Sequence, residues 1–179
     1  FKVTAKAMQE AFRYDVNTCQ SSPHLNWVDL LSYLGTRYGG DFSKYSTKDL
    51  DALAEQLLSG KTLEELTANM KYYTYYRQAY GAVLDGLVGQ YDIQIAAENA
   101  PLFATPAVNS DGTTDPDRVW VTKYGLKAFS PIAKGFPYQD YDDFGVSRSY
   151  GYKRQHLGHD MMGQVGTPVI SVESGYVEA

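Results

Sequence analysis

Lys61–Pro106 reads KTLEELTANMKYYTYYRQAYGAVLDGLVGQYDIQIAAENAPLFATP, and the class of fold turns on where its helical period stops. Thr62 followed three residues later by Glu65 is a capping-box pattern, in which each side chain satisfies an orphan backbone N–H at a helix start. From there Leu63, Leu66, Met70, Tyr73, Arg77, Tyr80 and Leu84 step round one face, and the pattern predicts helix to about Gln90. After Tyr91 no helical period is sustained. Pro101, Pro106 and Pro116 interrupt the chain and "NSDGTTDPD" is rich in turn formers, so residues 92–118 are expected to be a linker or a loop wrapping a neighbouring domain.

Upstream, the same grammar recurs. "VTAKAMQEAFRY" has apolar residues at helical spacing from Val3 to about Arg13. "HLNWVDLLSYLGTRYGG" sets Leu25, Val28, Leu31 and Leu34 on one face before a Gly39-Gly40 stop. "STKDLDALAEQLLSG" opens on Ser46 or Thr47 as N-cap, buries Leu50, Leu53, Ala54 and Leu57, and ends at Gly60. Residues 1–91 are therefore expected to form a helical domain of about four helices. Downstream the signal is short strands and turns. Val119 and Val121 alternate with Trp120, Gly125, Pro131, Gly135 and Pro137 punctuate, and "TPVISVESGYVEA" reads as a last strand with a bend at Gly175. The expected class is α+β, with a helical domain at 1–91, a linker at 92–118 and a β-rich part at 119–179.

Composition narrows the function. A formal charge of −5 over 179 residues lacks the gathered Lys and Arg of a nucleic-acid binder, so no nucleic-acid partner is expected. A single cysteine, Cys19, forms no internal disulfide and has no ligand neighbour in sequence, and we assign it no role. No apolar run is long enough to span a bilayer. The chain opens on Phe1 rather than Met, so an upstream segment, an export signal or an anchor, is expected to have been removed. Sixteen tyrosines cluster in "KYYTYYRQAY" and "YQDYDDFGVSRSYGYKR". A flat ring with a polar tip suits a glycan or peptide surface and equally suits a half-buried helix stripe, and helix packing is the simpler reading.

Chemistry concentrates near the end of the chain, where "RQHLGHD" holds two of the three histidines, His156 and His159, beside Asp160. In extended backbone, residues four apart share a face, so His156 and Asp160 point together and His159 points away. Gly158 between them leaves room for a ligand. A His and an Asp so placed either hydrogen-bond to each other or share a metal, and on spacing alone the hydrogen bond is the expected reading. His159 is expected to be a partly buried, hydrogen-bonded residue. His24, in "SPHLNW", is expected to neighbour a helix cap.

The longer string "RQHLGHDMMGQVGTPVISVESGYV" resembles the entry motif of the LytM/lysostaphin-type zinc metallopeptidases, the M23 family. That pattern is His-x-Gly-x-Asp, then a Gly-Thr-Pro-Val strand, then a Gly-x-Val turn. Here the matching positions are His156, Gly158 and Asp160, then Gly166, Thr167, Pro168 and Val169, then Gly175 and Val177. The likeness runs from about Phe129 to the C-terminus, and "KYGLKAFSPIAKGF" and "YDDFGVSRSYGYKR" extend it towards a clostridial branch. It implies that 119–179 is the incomplete first part of an antiparallel peptidase sheet. It also implies that His156 and Asp160 are two zinc ligands, and that the substrates are peptide stems or cross-bridges of bacterial peptidoglycan. The protein would then work outside the cell or in the cell envelope.

The likeness also implies a third ligand and a catalytic histidine from a downstream His-x-His. The chain reaches Ala179 without one, so it is expected to be catalytically silent as it stands. Two expectations follow: an N-terminal portion of a zinc endopeptidase, or a non-catalytic cell-envelope binding or scaffolding module of the same descent. If later strands of the sheet are missing, "TPVISVESGYV" presents an open edge. That edge is expected to pair with another chain or to be poorly ordered.

Overall fold

The computed structural model describes residues 2–141, 145–149 and 151–172, and the chain divides into two compact units, Phe1–Lys127 and Ala128–Ala179. An α+β architecture is present: helices first, strands after.

The first unit opens with α1 (Ala5–Thr18), α2 (Trp27–Tyr38), α3 (Thr47–Leu58), α4 (Leu63–Thr67) and α5 (Tyr73–Leu84). Each of the first four begins at a side-chain cap. Thr4 accepts from the Ala7 N–H, Asn26 from Val28 and Asp29, and Ser46 from Lys48. Thr62 and Glu65 form the reciprocal capping box at α4. Helix α2 is the centre of the core, with Val28, Leu31 and Leu34 fully buried against Phe42, Leu50 and Leu53. It ends at Gly39, whose φ of +63° is the left-handed conformation that glycine adopts without a Cβ penalty. Helices α2 and α5 approach closely where Gly35 faces the ring of Tyr80, and a Cβ on Gly35 would lie 2.7 Å from Tyr80 Cε2.

The single helix expected over 62–90 is two. Thr67 turns its hydroxyl back onto the Leu63 carbonyl (2.8 Å), and the Met70 N–H closes a tight turn on the Thr67 carbonyl (2.8 Å). Thr and Asn side chains compete for backbone groups in this way and weaken a helix interior. The break still leaves Leu63, Leu66, Met70 and Tyr73 packed on one core, so the apolar period is continuous although the helix is not. Helix α5 stops at Leu84, and Gly86, with φ +85°, turns the chain into a strand.

Residues 92–118 carry strands where a linker or wrapping loop was expected. An antiparallel sheet runs in the order β1–β3–β2, with β1 at Val88–Ala96, β2 at Thr105–Val108 and β3 at Thr114–Leu126. Ile93 pairs with Val121 and Ile95 with Val119. The turn-rich segment does turn: Asn109 to Thr113 closes β2 onto β3, and Asp111 accepts from the Thr113 N–H. Pro116 is tolerated inside β3 because the β2–β3 register shifts between Pro106 and Ala107, leaving Pro116 opposite no partner, and β1 pairing ends at Arg118.

The second unit is built from short antiparallel pairs. Strand β4 (Tyr138–Tyr141) pairs with β7 (Asp160–Gly163), and β5 (Ser147–Ser149) with β6 (Lys153–Gln155). The last expected strand pairs along one side with 129–133, through Phe129 N–H to Val172 O (2.9 Å) and Ile170 N–H to Pro131 O (2.8 Å). Its remaining part, including Gly175 and Val177, lies outside the described residues.

Candidate functional site

The β5–β6 hairpin and the start of β7 position the His-x-Gly-x-Asp residues. His156 follows directly on β6 and its backbone is fixed by two hairpin bonds. Its N–H donates to Val146 O (2.9 Å), and its carbonyl accepts from the Gly145 N–H (2.6 Å). Asp160 is the first residue of β7, directly across from Tyr141 of β4. Residues 156–159 form a connecting loop rather than the extended strand on which the shared face was argued. The convergence nevertheless occurs: His156 Nε2 lies 3.5 Å from Asp160 Oδ1. His159 faces elsewhere, with Nε2 at 2.9 Å from Asp140 Oδ1. It is hydrogen-bonded as expected but exposed rather than partly buried.

The pair fits the group that the resemblance implies. Zinc bonds of about 2.0–2.2 Å in a tetrahedral shell set neighbouring ligand atoms roughly 3.3–3.5 Å apart, and the His156–Asp160 separation has that value. Gly158 lies beside the same edge of the ring: a Cβ there would be in ordinary contact, 3.4 Å from His156 Nε2. Histidine nitrogen and carboxylate oxygen are both ordinary zinc donors. Among the described residues no group of three His, Cys, Asp or Glu side chains is placed to hold a metal.

A third side chain at the pair was not foreseen. Arg148 of β5 sets Nη2 2.9 Å from Asp160 Oδ2 and 3.5 Å from His156 Nδ1. The three side chains are about one-fifth to two-fifths exposed. The guanidinium therefore neutralises the carboxylate from the side opposite His156 Nε2.

A second polar cluster lies in the first unit and was also missed. Asp15 is fully buried in α1. Its Oδ2 accepts from the Trp27 N–H (2.8 Å), and its Oδ1 accepts from the Tyr124 hydroxyl (2.7 Å) and lies 2.9 Å from His24 Nε2. Burial and the Asp15 carboxylate push the Tyr124 hydroxyl far above the usual phenol range. His24, expected beside a helix cap, thus joins α1, the entry to α2 and strand β3. It also borders a cavity of about 360 Å³ with Pro23, Asn26, Asp29 and Lys61. The signal was present in the sequence: Asp15 falls on the Ala7, Ala11, Thr18 stripe that α1 buries. With its oxygens occupied by three partners, Asp15 is a junction rather than a reactive group.

No family model, no curated protein and no solved structure matches this chain.

Proposed function

We propose that residues 128–179 supply the first two ligands of a zinc peptidase centre acting on the peptide part of bacterial peptidoglycan, and that His156 and Asp160 are those ligands. One observation carries the reading. The His-x-Gly-x-Asp residues of a string that also holds Gly166-Thr167-Pro168-Val169 bring their two donor atoms to 3.5 Å, the edge of a tetrahedral zinc shell. Zinc bound there would supply Lewis acidity, polarising a scissile carbonyl and bringing a bound water's pKa to about 7. The chain's own residues would do the rest. His156 Nε2 and Asp160 would hold and orient the ion. Tyr141, paired with Asp160 and well exposed, offers a flat face on which an extended peptide or glycan can lie. The substrate would place the protein's site of action in the cell envelope.

A second reading is favoured by Arg148. A carboxylate already neutralised by a guanidinium needs no metal, as in a binding or scaffolding module that has lost catalysis. The test is the encoded protein at its full length, assayed for bound zinc and for release of peptides from purified peptidoglycan. The peptidase reading expects both, and expects His156→Ala and Asp160→Ala each to abolish hydrolysis. Zinc-free protein that binds peptidoglycan without cleaving it would replace that reading with the scaffold.

A further inference from the structure

We propose that the outer edge of β1 is a self-association surface, on which a second copy of this chain lays its own β1 antiparallel and joins two three-stranded sheets into one. The inference stands apart from the zinc reading of residues 128–179 and concerns the first unit alone.

The backbone at that edge is open. The sheet runs β1–β3–β2, and β1 pairs with β3 in unbroken register from Val88 opposite Leu126 to Ala96 opposite Arg118. One step before the first pair, the Lys127 N–H donates to the Leu87 carbonyl (2.8 Å), which fixes the phase of the ladder. In an antiparallel pair, residues whose polar groups face the partner strand alternate with residues whose groups face away. Gly89, Tyr91, Ile93 and Ile95 therefore turn theirs to β3, while Val88, Gln90, Asp92, Gln94 and Ala96 turn theirs outward. Among the described residues no other backbone pairs with them. The opposite edge of the sheet is guarded. Strand β2 is short, carries Pro106 and shifts register beside it, all features that keep an edge from pairing. Strand β1 has no Pro, Lys or Arg, no register shift and no buried residue.

The strand is complementary to itself. Outward groups must meet outward groups, so a second copy running antiparallel pairs even-numbered residues with even-numbered ones. A two-fold axis at Asp92, the middle of the strand, would set two carboxylates directly opposite each other, which is unfavourable. Moving the axis one residue, to Ile93, sets Asp92 opposite Gln94 of the second copy, Gln90 opposite its Ala96, Tyr91 opposite its Ile95 and Ile93 opposite its Ile93. The one charge of the strand then meets an amide. The aromatic and β-branched residues meet one another in the pairs without hydrogen bonds, where side chains lie closest. The Thr122 hydroxyl meanwhile holds the Asp92 carboxylate on its own sheet (2.6 Å). A ladder over residues 90–96 supplies about eight backbone hydrogen bonds. A single strand pair buries less than the roughly 800 Å² per partner of a standard interface, so the association is reversible, with a dissociation constant that is roughly micromolar or weaker.

The experiment is sedimentation velocity of the 179-residue chain over roughly micromolar to millimolar concentrations, with amide hydrogen exchange at both ends of that range. It compares the wild type with Gln94→Pro, Gln94→Asp and Gln94→Lys, and circular dichroism confirms folding. The wild type should pass from monomer to dimer. The amides of Gln90, Asp92, Gln94 and Ala96 should gain protection with concentration, while those of Tyr91, Ile93 and Ile95 are protected throughout. Gln94→Pro removes an outward N–H that β3 does not use, and should leave a folded monomer. Gln94→Asp sets a carboxylate opposite Asp92 of the second copy and should weaken the dimer about tenfold at low salt. Gln94→Lys should tighten it several-fold, and salt should narrow the difference between the two. A chain that is monomeric at every concentration overturns the proposal, including the case in which the edge takes a foreign peptide instead. A dimer that survives Gln94→Pro and Gln94→Asp unchanged places the contact elsewhere and overturns it as well. Should Gln94→Pro not fold, the two charged variants decide, and equal dissociation constants for them overturn the pairing.

Discussion

Replacing Asp15 by Ala should be among the most damaging single changes in the first unit, and the structure says why. The carboxylate is inaccessible to solvent and serves the Trp27 N–H, the Tyr124 hydroxyl and His24 at 2.8, 2.7 and 2.9 Å. Removing it strands a buried backbone donor at the start of α2, which costs about 1–3 kcal/mol. The Tyr124 hydroxyl is half-buried and recovers part of its loss from water, adding about 1 kcal/mol. A cavity the size of a carboxylate adds about another 1 kcal/mol. His24 reaches solvent and adds little. The sum, about 3–5 kcal/mol, is roughly a fifth or more of the stability of an ordinary domain. Asp15→Asn keeps the shape but turns an amide N–H₂ towards donors, and should cost roughly half as much. Tyr124→Phe removes one of three partners and should cost about 1 kcal/mol. Because both residues act through one carboxylate, Asp15→Ala with Tyr124→Phe should cost less than the two singles added. Urea unfolding followed by circular dichroism measures all four. An Asp15→Ala protein within about 1 kcal/mol of wild type would refute the claim that this junction ties α1, α2 and β3 together.

Gly35→Ala sets two effects against each other. Alanine improves helix propensity by about 1 kcal/mol, but its Cβ would meet Tyr80 Cε2 at 2.7 Å. That ring is only 5% exposed and has little room to move, so overpacking of about 1–3 kcal/mol should win. The melting temperature should fall, and a smaller residue at position 80 should reverse the sign. Alkaline pH should also unfold the first unit. Burial, with the Asp51 carboxylate, holds the Tyr14 hydroxyl at about 12, and burial holds Tyr73 and Tyr80 at about 12. A folded pKa above the unfolded value near 10 means that the native state holds its proton more tightly. The stability so gained is complete below about pH 10 and is lost as pH rises towards 12. Phenolate absorbance should therefore rise in two stages, exposed tyrosines first, then these three and the likewise raised Tyr38, Tyr45 and Tyr124 with loss of helical signal. A single stage with helix intact would contradict the assignment.

Most of the helical region was legible because burial is written at helical spacing. Val28, Leu31 and Leu34, and Leu50, Leu53, Ala54 and Leu57, are buried as their spacing predicts. The break between α4 and α5 was not, because the apolar period crosses it unchanged while the backbone turns at Thr67. The β1–β3–β2 sheet was read in half. "RVWV" alternates and reads as a strand, yet its partners in "YDIQI" sit between polar residues and half-exposed positions. A strand's stability comes from the neighbour it pairs with, and no local window contains that neighbour. Pro116 reinforced the error by suggesting a break, where the fold places it at a bulge.

The His156–Asp160 pair and Arg148 differ in legibility for a physical reason. His156 and Asp160 are four residues apart, which in an extended strand would be about 13 Å, and the loop at 156–159 closes that distance to 3.5 Å between Nε2 and Oδ1. Arg148 lies twelve positions before Asp160 and reaches it only because β5 folds back on β6 in a register that sets Ser147 opposite Gln155. That register is a property of the hairpin as a whole. A motif can therefore name the two donors and remain silent about the cation already beside them. In the structure the Asp160 carboxylate is met at Oδ2 by a guanidinium of the same hairpin at 2.9 Å, so a site read from the motif alone leaves out one positive charge that the fold supplies.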